Sequence, residues 1–286
     1  MQLTPFELDT ARLRLAGLKN EEHSGEPVIA LHGWLDNAAS FVPLAEQLGL
    51  DRPFYALELP GHGHSQHRPE SCQYGLIDNI VDLEAAVQAL VGNDKPVTLV
   101  GHSLGGIICS LYAASRPERV SKLVLLDSLG PLTDATESVL PQLRKAMQRV
   151  SRFRPSRLVV YPDLEKAARV RMSGIGRIGL DAARLLVERG TTAVEGGYSW
   201  TSDPRLMEPS LLRFSEEQVQ ALFQGIGCPV CLICGDTGYF SDYASLERRL
   251  SYIKNIEKHL VKGGHHFHME GDIESAASIC EDFINT

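Results

Sequence analysis

The stretch Val100-Gly101-His102-Ser103-Leu104-Gly105-Gly106 constrains the fold most, because it joins a predicted strand to a predicted helix through an abrupt turn. The residues before it, Pro96 to Val100, are largely apolar and β-branched, which predicts a strand buried on both faces of a parallel sheet. The residues after it, Ile107 to Ala114, are apolar on nearly every side, which predicts a buried helix. The turn should therefore expose the Ser103 hydroxyl.

The glycines on either side of Ser103 fit this turn. A serine at its tip has a strained backbone, and side chains two residues away would collide, so Gly101 and Gly105 remove that obstacle. The helix also presents the Leu104 N–H to an anion. This strand-turn-helix with G-x-S-x-G is a nucleophile elbow, and on these residues the chain resembles the α/β-hydrolase superfamily.

Composition sets broader limits. The 286 residues are 43% hydrophobic, enough for one large core or a core with a smaller unit. The net charge of −8 argues against nucleic-acid binding. We expect no membrane span, because no apolar run reaches about 18 residues. A charged N-terminus, and six cysteines without the density of a disulfide scaffold, indicate a cytoplasmic protein.

Strand and helix patterns alternate through residues 1–130 and 214–286, which predicts an α/β fold with a mostly parallel sheet covered on both faces. Helical periodicity dominates in residues 131–213. The resemblance implies that the first two segments form the α/β-hydrolase core and that residues 131–213 are an inserted helical cap, or lid. Such sheets place their chemistry beyond the carboxyl ends of the strands.

A second turn follows the predicted strand from Pro27 to Leu31. It contains His32-Gly33-Trp34, and the resemblance implies that the Trp34 N–H joins the Leu104 N–H in an oxyanion hole. We also predict that His32, Gly33 and His102, which flank these groups, contact the substrate. The stretch from Leu31 to Phe41 looks most like the serine-hydrolase-like branch of the superfamily.

The base is predicted from a histidine near the C-terminus. Serine needs a base within hydrogen-bond reach, and histidine titrates near neutral pH. The family pattern G-H-x-x-x-x-E fits Gly264, His265 and Glu270, whereas His266 and His268 do not fit it. The resemblance therefore assigns His265 as base.

The sequence identifies the acid that orients His265 less directly than it identifies the serine and the histidine. The family's usual position falls at Gly238, which has no carboxylate. Some relatives take the acid from the end of the preceding strand, where this chain has Asp127. We favour Asp127, which also follows the family order of serine, acid and histidine, and keep Asp236 and Asp242 as alternatives.

Two other motifs have weaker interpretations. Cys228, Cys231 and Cys234 have a metal-like C-x-x-C-x-x-C spacing, but three residues along a strand reverse the face, so Cys231 should point away from the other two. The G-x-G-x-x-G from Gly174 to Gly179 follows no strand, which argues against a dinucleotide site. We predict no metal and no cofactor.

Charge is unevenly distributed. Residues 141–215 carry a net charge of +7 and the remainder −15. If arginines of this segment face the cleft, anionic substrates are favoured; alternatively they are solvated or pair with the acidic body.

The predicted function is hydrolysis of a carboxylic ester or thioester through an acyl-enzyme, with a small acyl compound as substrate. A carbon–carbon bond hydrolase or a cofactor-free perhydrolase could use the same triad. A non-catalytic ligand-binding protein on the hydrolase fold is the third alternative.

Overall fold

The computed structural model describes residues 1–153, 158–174, 176–240 and 245–286. Its strands are β1 (Thr4–Asp9), β2 (Arg14–Asn20), β3 (Val28–Leu31), β4 (Phe54–Leu57), β5 (Val97–His102), β6 (Val120–Leu126), β7 (Thr191–Val194), β8 (Gly197–Trp200), β9 (Val230–Gly235) and β10 (Ile256–Val261). Its helices are α1 (Val42–Gln47), α2 (Leu76–Val91), α3 (Leu104–Ser115), α4 (Val139–Arg152), α5 (Leu164–Met172), α6 (Leu180–Gly190), α7 (Glu216–Phe223), α8 (Leu246–Leu250), α9 (Phe267–Glu270) and α10 (Ile273–Asn285).

The central sheet has the strand order β1-β2-β4-β3-β5-β6-β9-β10. The β1–β2 and β2–β4 pairs are antiparallel, and every pair from β4 to β10 is parallel. This confirms the predicted α/β fold with a mostly parallel sheet. Because the parallel strands end at one edge, the turns after β3, β5 and β6 lie side by side there.

Apolar side chains on the two faces of the sheet form separate cores. Leu99 belongs to the core beneath α2, α3 and α7, whereas its neighbour Val100 belongs to the core beneath α1 and α10. This alternation follows from the two-residue period of a strand. No helix in the described ranges combines the length and apolar character needed to cross a membrane.

The segment 131–213, which we call the insert, contains α4, α5 and α6, as its helical pattern predicts. It also contains the β7–β8 hairpin, which the sequence analysis did not predict. The turn between these strands uses Gly196 and Gly197 at φ of 87° and 144°, and β-branched residues before it favour a strand. Met269 of α9 joins the apolar cluster of α5 and α6, so this cluster is shared between the insert and the body.

Candidate active site

Ser103 occupies the abrupt turn between β5 and α3, with φ of 50° and ψ of −115°. A Cβ atom at Gly101 would lie 2.4 Å from the Gly106 Cα, and one at Gly105 would lie 2.0 Å from the Leu31 carbonyl oxygen. Only glycine fits at both positions without shifting the backbone. The tight elbow predicted from the sequence therefore has a steric cause.

His265 lies beyond the end of β10 and is paired with Asp127, which directly follows β6. Its Nδ1 lies 2.6 Å from the Asp127 Oδ2, with the two side chains 8% and 0% exposed. The Tyr239 N–H donates to the same oxygen at 2.8 Å, and its ring stacks on the imidazole with centroids 4.1 Å apart. A buried carboxylate on one side and an aromatic ring on one face thus fix the imidazole.

The other candidate acids are placed differently. Asp236 Oδ1 accepts the Gly263 N–H at 2.9 Å and so closes the loop after β10. Asp242 lies outside the described residues. At Gly238, the family's usual acid position, a Cβ atom would lie 2.4 Å from the Asp127 Oδ1. The Asp127 carboxylate therefore occupies the space that an aspartate side chain at position 238 would need.

The two predicted oxyanion donors lie at neighbouring turns. Leu104 is the first residue of α3, so its N–H has no acceptor within the helix. Trp34 lies in the turn after β3 and is half-buried. The Gly105 N–H donates to the His32 carbonyl oxygen at 3.1 Å and so ties the start of α3 to this second turn.

A buried imidazole supports the turn that contains Trp34. The next residue, Leu35, has a φ of 62°, and its N–H donates to the His62 Nε2 at 3.2 Å. Burial, together with the nearby His32, lowers the pKa of His62 to about 3. The ring therefore stays neutral and can accept this hydrogen bond.

His32, Gly33 and His102 are all buried, and their contact with substrate stays a prediction. His32 Nδ1 donates to the Gly33 carbonyl at 2.7 Å, and its Nε2 accepts the Leu59 N–H at 3.1 Å. His102 Nε2 donates to the His265 carbonyl at 2.9 Å. Both rings have 0% exposure, so they support the two turns and His265 from the interior.

Sequence reasoning missed a buried charge network around Asp36. Its Oδ1 accepts from the Arg171 Nη2 of α5 at 2.8 Å, its Oδ2 lies 3.1 Å from the His266 Nε2, and His102 Nδ1 is 3.8 Å away. Burial alone would raise the pKa of Asp36, but His266 and Arg171 outweigh it and hold that pKa well below its usual range. Asp36, His102 and His266 could geometrically surround a metal ion, but the guanidinium already compensates the carboxylate.

The glycine-rich stretch of the insert lies against these histidines. A Cβ atom at Gly176 would lie 2.4 Å from the His266 Cε1 and 3.4 Å from the His265 Cδ2. The stretch connects α5 to α6, and the Gly179 N–H donates to the Glu270 carboxylate at 2.5 Å. These glycines therefore allow the loop to pack closely over His265 and His266. Residue 175 lies outside the described ranges.

Several arginines of the insert pair with groups of the body, which was one of the two alternatives to arginines that face the cleft. Arg189 makes two hydrogen bonds to the fully buried Glu58 carboxylate, at 2.6 and 3.1 Å. Arg205 donates to the carbonyl oxygens of Arg68, Pro69 and Cys72. Other basic residues face outwards and line a groove of about 400 Å³ with Glu208; they are Lys145, Arg149 and Arg152.

Hydrogen bonds between uncharged groups also connect the insert to the body. The indole N–H of Trp34 donates to the Leu206 carbonyl at 3.1 Å, and the Asn37 amide donates to the Leu186 carbonyl at 2.9 Å. In the loop after β4, His64 and His67 donate from Nε2 to carbonyl oxygens of the insert at 2.9 and 2.8 Å. These two loop histidines therefore connect the body to the insert.

Comparison with known proteins agrees with this architecture. A family model described as alpha/beta hydrolase fold matches residues 26–272. Serine hydrolase-like protein 2 of Homo sapiens is 31% identical over 278 residues, covering 91% of this chain and 87% of the relative. A pimeloyl-[acyl-carrier protein] methyl ester esterase of Chromobacterium violaceum is 33% identical over 211 residues, covering 74% and 75% of the two chains.

The similarity to one solved structure covers almost the whole chain. The crystal structure of a hypothetical protein from Pseudomonas aeruginosa PAO1 has a TM-score of 0.92 and 36% identity, covering 99% of both chains. The match thus extends through the insert as well as the sheet. The chain belongs to the α/β-hydrolase fold family, and within it to the serine-hydrolase-like branch.

Proposed function

We propose that the protein hydrolyses a carboxylic ester or thioester through an acyl-enzyme formed on Ser103. The observation that carries this proposal is the 2.6 Å hydrogen bond between His265 and the buried Asp127, at the same edge of the sheet as the serine on the strained elbow. The neighbouring His102 links the two, because it precedes Ser103 in the chain and donates to the His265 carbonyl. The methyl ester esterase among the relatives supports an ester as substrate.

In this mechanism His265 takes the proton of the Ser103 hydroxyl as the oxygen attacks the substrate carbonyl carbon. The Trp34 and Leu104 N–H groups stabilise the oxyanion that forms. His265 then gives its proton to the departing alkoxide or thiolate, which leaves as an alcohol or thiol. A water molecule, deprotonated by the same imidazole, attacks the acyl-enzyme. The imidazolium then gives this proton to the departing Ser103 oxygen, and the carboxylic acid is released.

Asp127 has two tasks in this scheme. Its Oδ2 accepts the Nδ1 proton, so the Nε2 lone pair of His265 is left free to act as a base. Its negative charge also stabilises the imidazolium that exists during each attack. We further propose that the insert acts as a cap, because its Gly176 loop packs directly against His265 and His266.

Labelling with a fluorophosphonate probe tests the nucleophile. We expect one stoichiometric adduct on Ser103, located by peptide mass spectrometry, and no adduct in Ser103→Ala. Ser110 is fully buried in α3 and donates to the Gly106 carbonyl, so Ser110→Ala is a matched control that should retain labelling. A folded protein that resists the probe would favour the ligand-binding alternative.

A panel of p-nitrophenyl esters and acyl thioesters of increasing chain length then tests the reaction. We expect turnover that depends on Ser103 and His265, with a preferred acyl length. Probe labelling without turnover of any ester or thioester would instead favour carbon–carbon bond hydrolysis or perhydrolysis by the same residues.

A further inference from the structure

Cys231 is the middle member of the cysteine motif, and it lies apart from the other two. Cys228 and Cys234 contribute to the apolar core on one face of the sheet, whereas Cys231 contributes to the core on the opposite face. The motif therefore cannot gather three thiolates around one ion, as the alternation of a strand predicts. Cys231 instead meets side chains of the neighbouring strand.

Two potential metal ligands on β10 face Cys231. Glu257 pairs with Cys231 in the parallel β9–β10 register, and His259 shares its face because it lies two residues further along. The thiol sulfur, a carboxylate oxygen and an imidazole nitrogen all lie within 4.8 Å of one another. His259 Nε2 is 3.1 Å from the Glu257 Oε1.

We propose that Cys231, Glu257 and His259 form a zinc-binding site across the last two strands. Zn²⁺ takes thiolate sulfur at about 2.3 Å and imidazole or carboxylate atoms at about 2.0–2.2 Å, so tetrahedral ligand atoms lie about 3.3–3.7 Å apart. The three ligand atoms lie within 4.8 Å of one another, so shifts of about 1 Å bring them to this spacing. A water molecule completes the tetrahedron.

Charge and access fit the same ion. The thiolate and the carboxylate together balance the two positive charges of Zn²⁺, and the thiol proton passes to solvent when the Zn–S bond forms. Cys231 is 0% exposed, whereas the side chains of Glu257 and His259 are 53% and 36% exposed. An ion can therefore arrive through the two exposed ligands and be anchored by the buried sulfur.

Such a site would join the edge strand β10 to β9. Among the described residues, β9 is the strand that pairs with β10. His265 is the fourth residue after the end of β10. An ion bound only by the folded chain raises its stability by mass action. The site is thus structural, and it lies on the strand that leads into the candidate active site.

Cadmium provides a direct probe, because Cd²⁺ bound to thiolate gives an ultraviolet charge-transfer band that histidine and carboxylate ligands do not produce. The full chain is freed of metal with a chelator and carries Cys72→Ser, which removes the exposed thiol. We expect one equivalent of Cd²⁺ to produce the band, Zn²⁺ to displace it, and Zn²⁺ to raise the melting temperature.

The variants decide the assignment. Cys231→Ser should abolish the band, whereas the matched control Cys228→Ser should retain it. If Cys231→Ser does not fold, His259→Gln serves instead, because this half-exposed residue can be changed without disturbing the core; it should weaken Cd²⁺ binding at least about tenfold. Absence of the band in the parent chain, its persistence in Cys231→Ser, or unchanged binding in His259→Gln would overturn the proposal.

Discussion

Replacement of Asp127 by asparagine tests the proposed acid and separates its two tasks. Asp127 Oδ2 accepts from both the His265 ring and the Tyr239 N–H, so an amide oxygen can occupy that position and satisfy both donors. The imidazole then keeps its tautomer, because the backbone N–H disfavours an amide NH₂ there. What is lost is the negative charge that stabilises the imidazolium.

The size of the loss follows from that difference. The loss should exceed the difference of about 1–1.5 kcal/mol between a charged and a neutral hydrogen bond. It should stay below the Coulomb attraction of the full ion pair, about 4 kcal/mol at roughly 4 Å and an effective dielectric constant of about 20. Each 1.36 kcal/mol in the barrier is about tenfold in rate. We therefore expect Asp127→Asn to lower kcat about 10²-fold. Serine proteases lose about 10⁴-fold when the corresponding asparagine imposes the wrong tautomer.

The assay is kcat for p-nitrophenyl ester hydrolysis, with circular dichroism to show that each variant is folded. Asp236→Asn is the matched control, because this residue also follows a strand but binds the Gly263 N–H; it and Asp242→Asn should stay within about tenfold. A loss in Asp236→Asn as large as that in Asp127→Asn, or a loss below tenfold in Asp127→Asn, would refute the reasoning.

A relocated acid provides a rescue. Asp127 has a φ of 44°, which glycine adopts readily, and Asp127→Gly empties the space next to residue 238. We expect Gly238→Asp to restore kcat at least about tenfold in the Asp127→Gly background. No recovery would mean that an acid cannot reach His265 from the usual family position in this chain.

Two predictions concern the network around Asp36. Arg171→Gln removes the guanidinium from a buried carboxylate and should lower the free energy of unfolding, measured in urea, by about 3–5 kcal/mol. The control Arg184→Gln removes an exposed ion pair with Glu165 and should leave the urea midpoint nearly unchanged. Equal effects of the two substitutions would contradict this account. Because the folded-state pKa of Asp36 is depressed, its contribution to stability is complete above the unfolded value near 3.8 and is lost as the pH falls towards the folded value. Wild type should therefore lose stability more steeply than Asp36→Asn below about pH 4, and parallel curves would exclude this linkage.

Local patterns were sufficient for most of the sheet. The predicted strand from Pro27 to Leu31 is apolar throughout and forms β3 (Val28–Leu31), because a doubly buried strand needs a continuous apolar run. The outer strand Thr4–Asp9 was missed, since its mostly exposed residues show no such signal. The β7–β8 hairpin was missed for the same reason: its strands are short and mostly unburied.

The site was predictable where chemistry depends on short motifs. The elbow at Ser103 and the Gly264-His265 pair could be identified from spacing, and the position of Asp127 after a rigid strand favoured it as the acid. Arg171 lies 135 residues from Asp36, so no local pattern reveals their pairing. Likewise, the burial of His32 and His102 depends on packing between distant segments, which no local pattern reveals.

If the insert is the proposed cap, its many hydrogen bonds to the body limit how substrate can reach Ser103. If roughly six of the hydrogen bonds between the insert and the body broke together, at about 1 kcal/mol each, the detached state would lie about 6 kcal/mol higher and hold less than about one molecule in 10⁴. Entry by wholesale detachment would then be rare on the timescale of turnover. Rotation of individual side chains where the insert meets the body needs less free energy, so changes in substrate range should arise from single substitutions there. An insert taken from another protein would have to reproduce the ion pairs of Arg171 and Arg189 with the body.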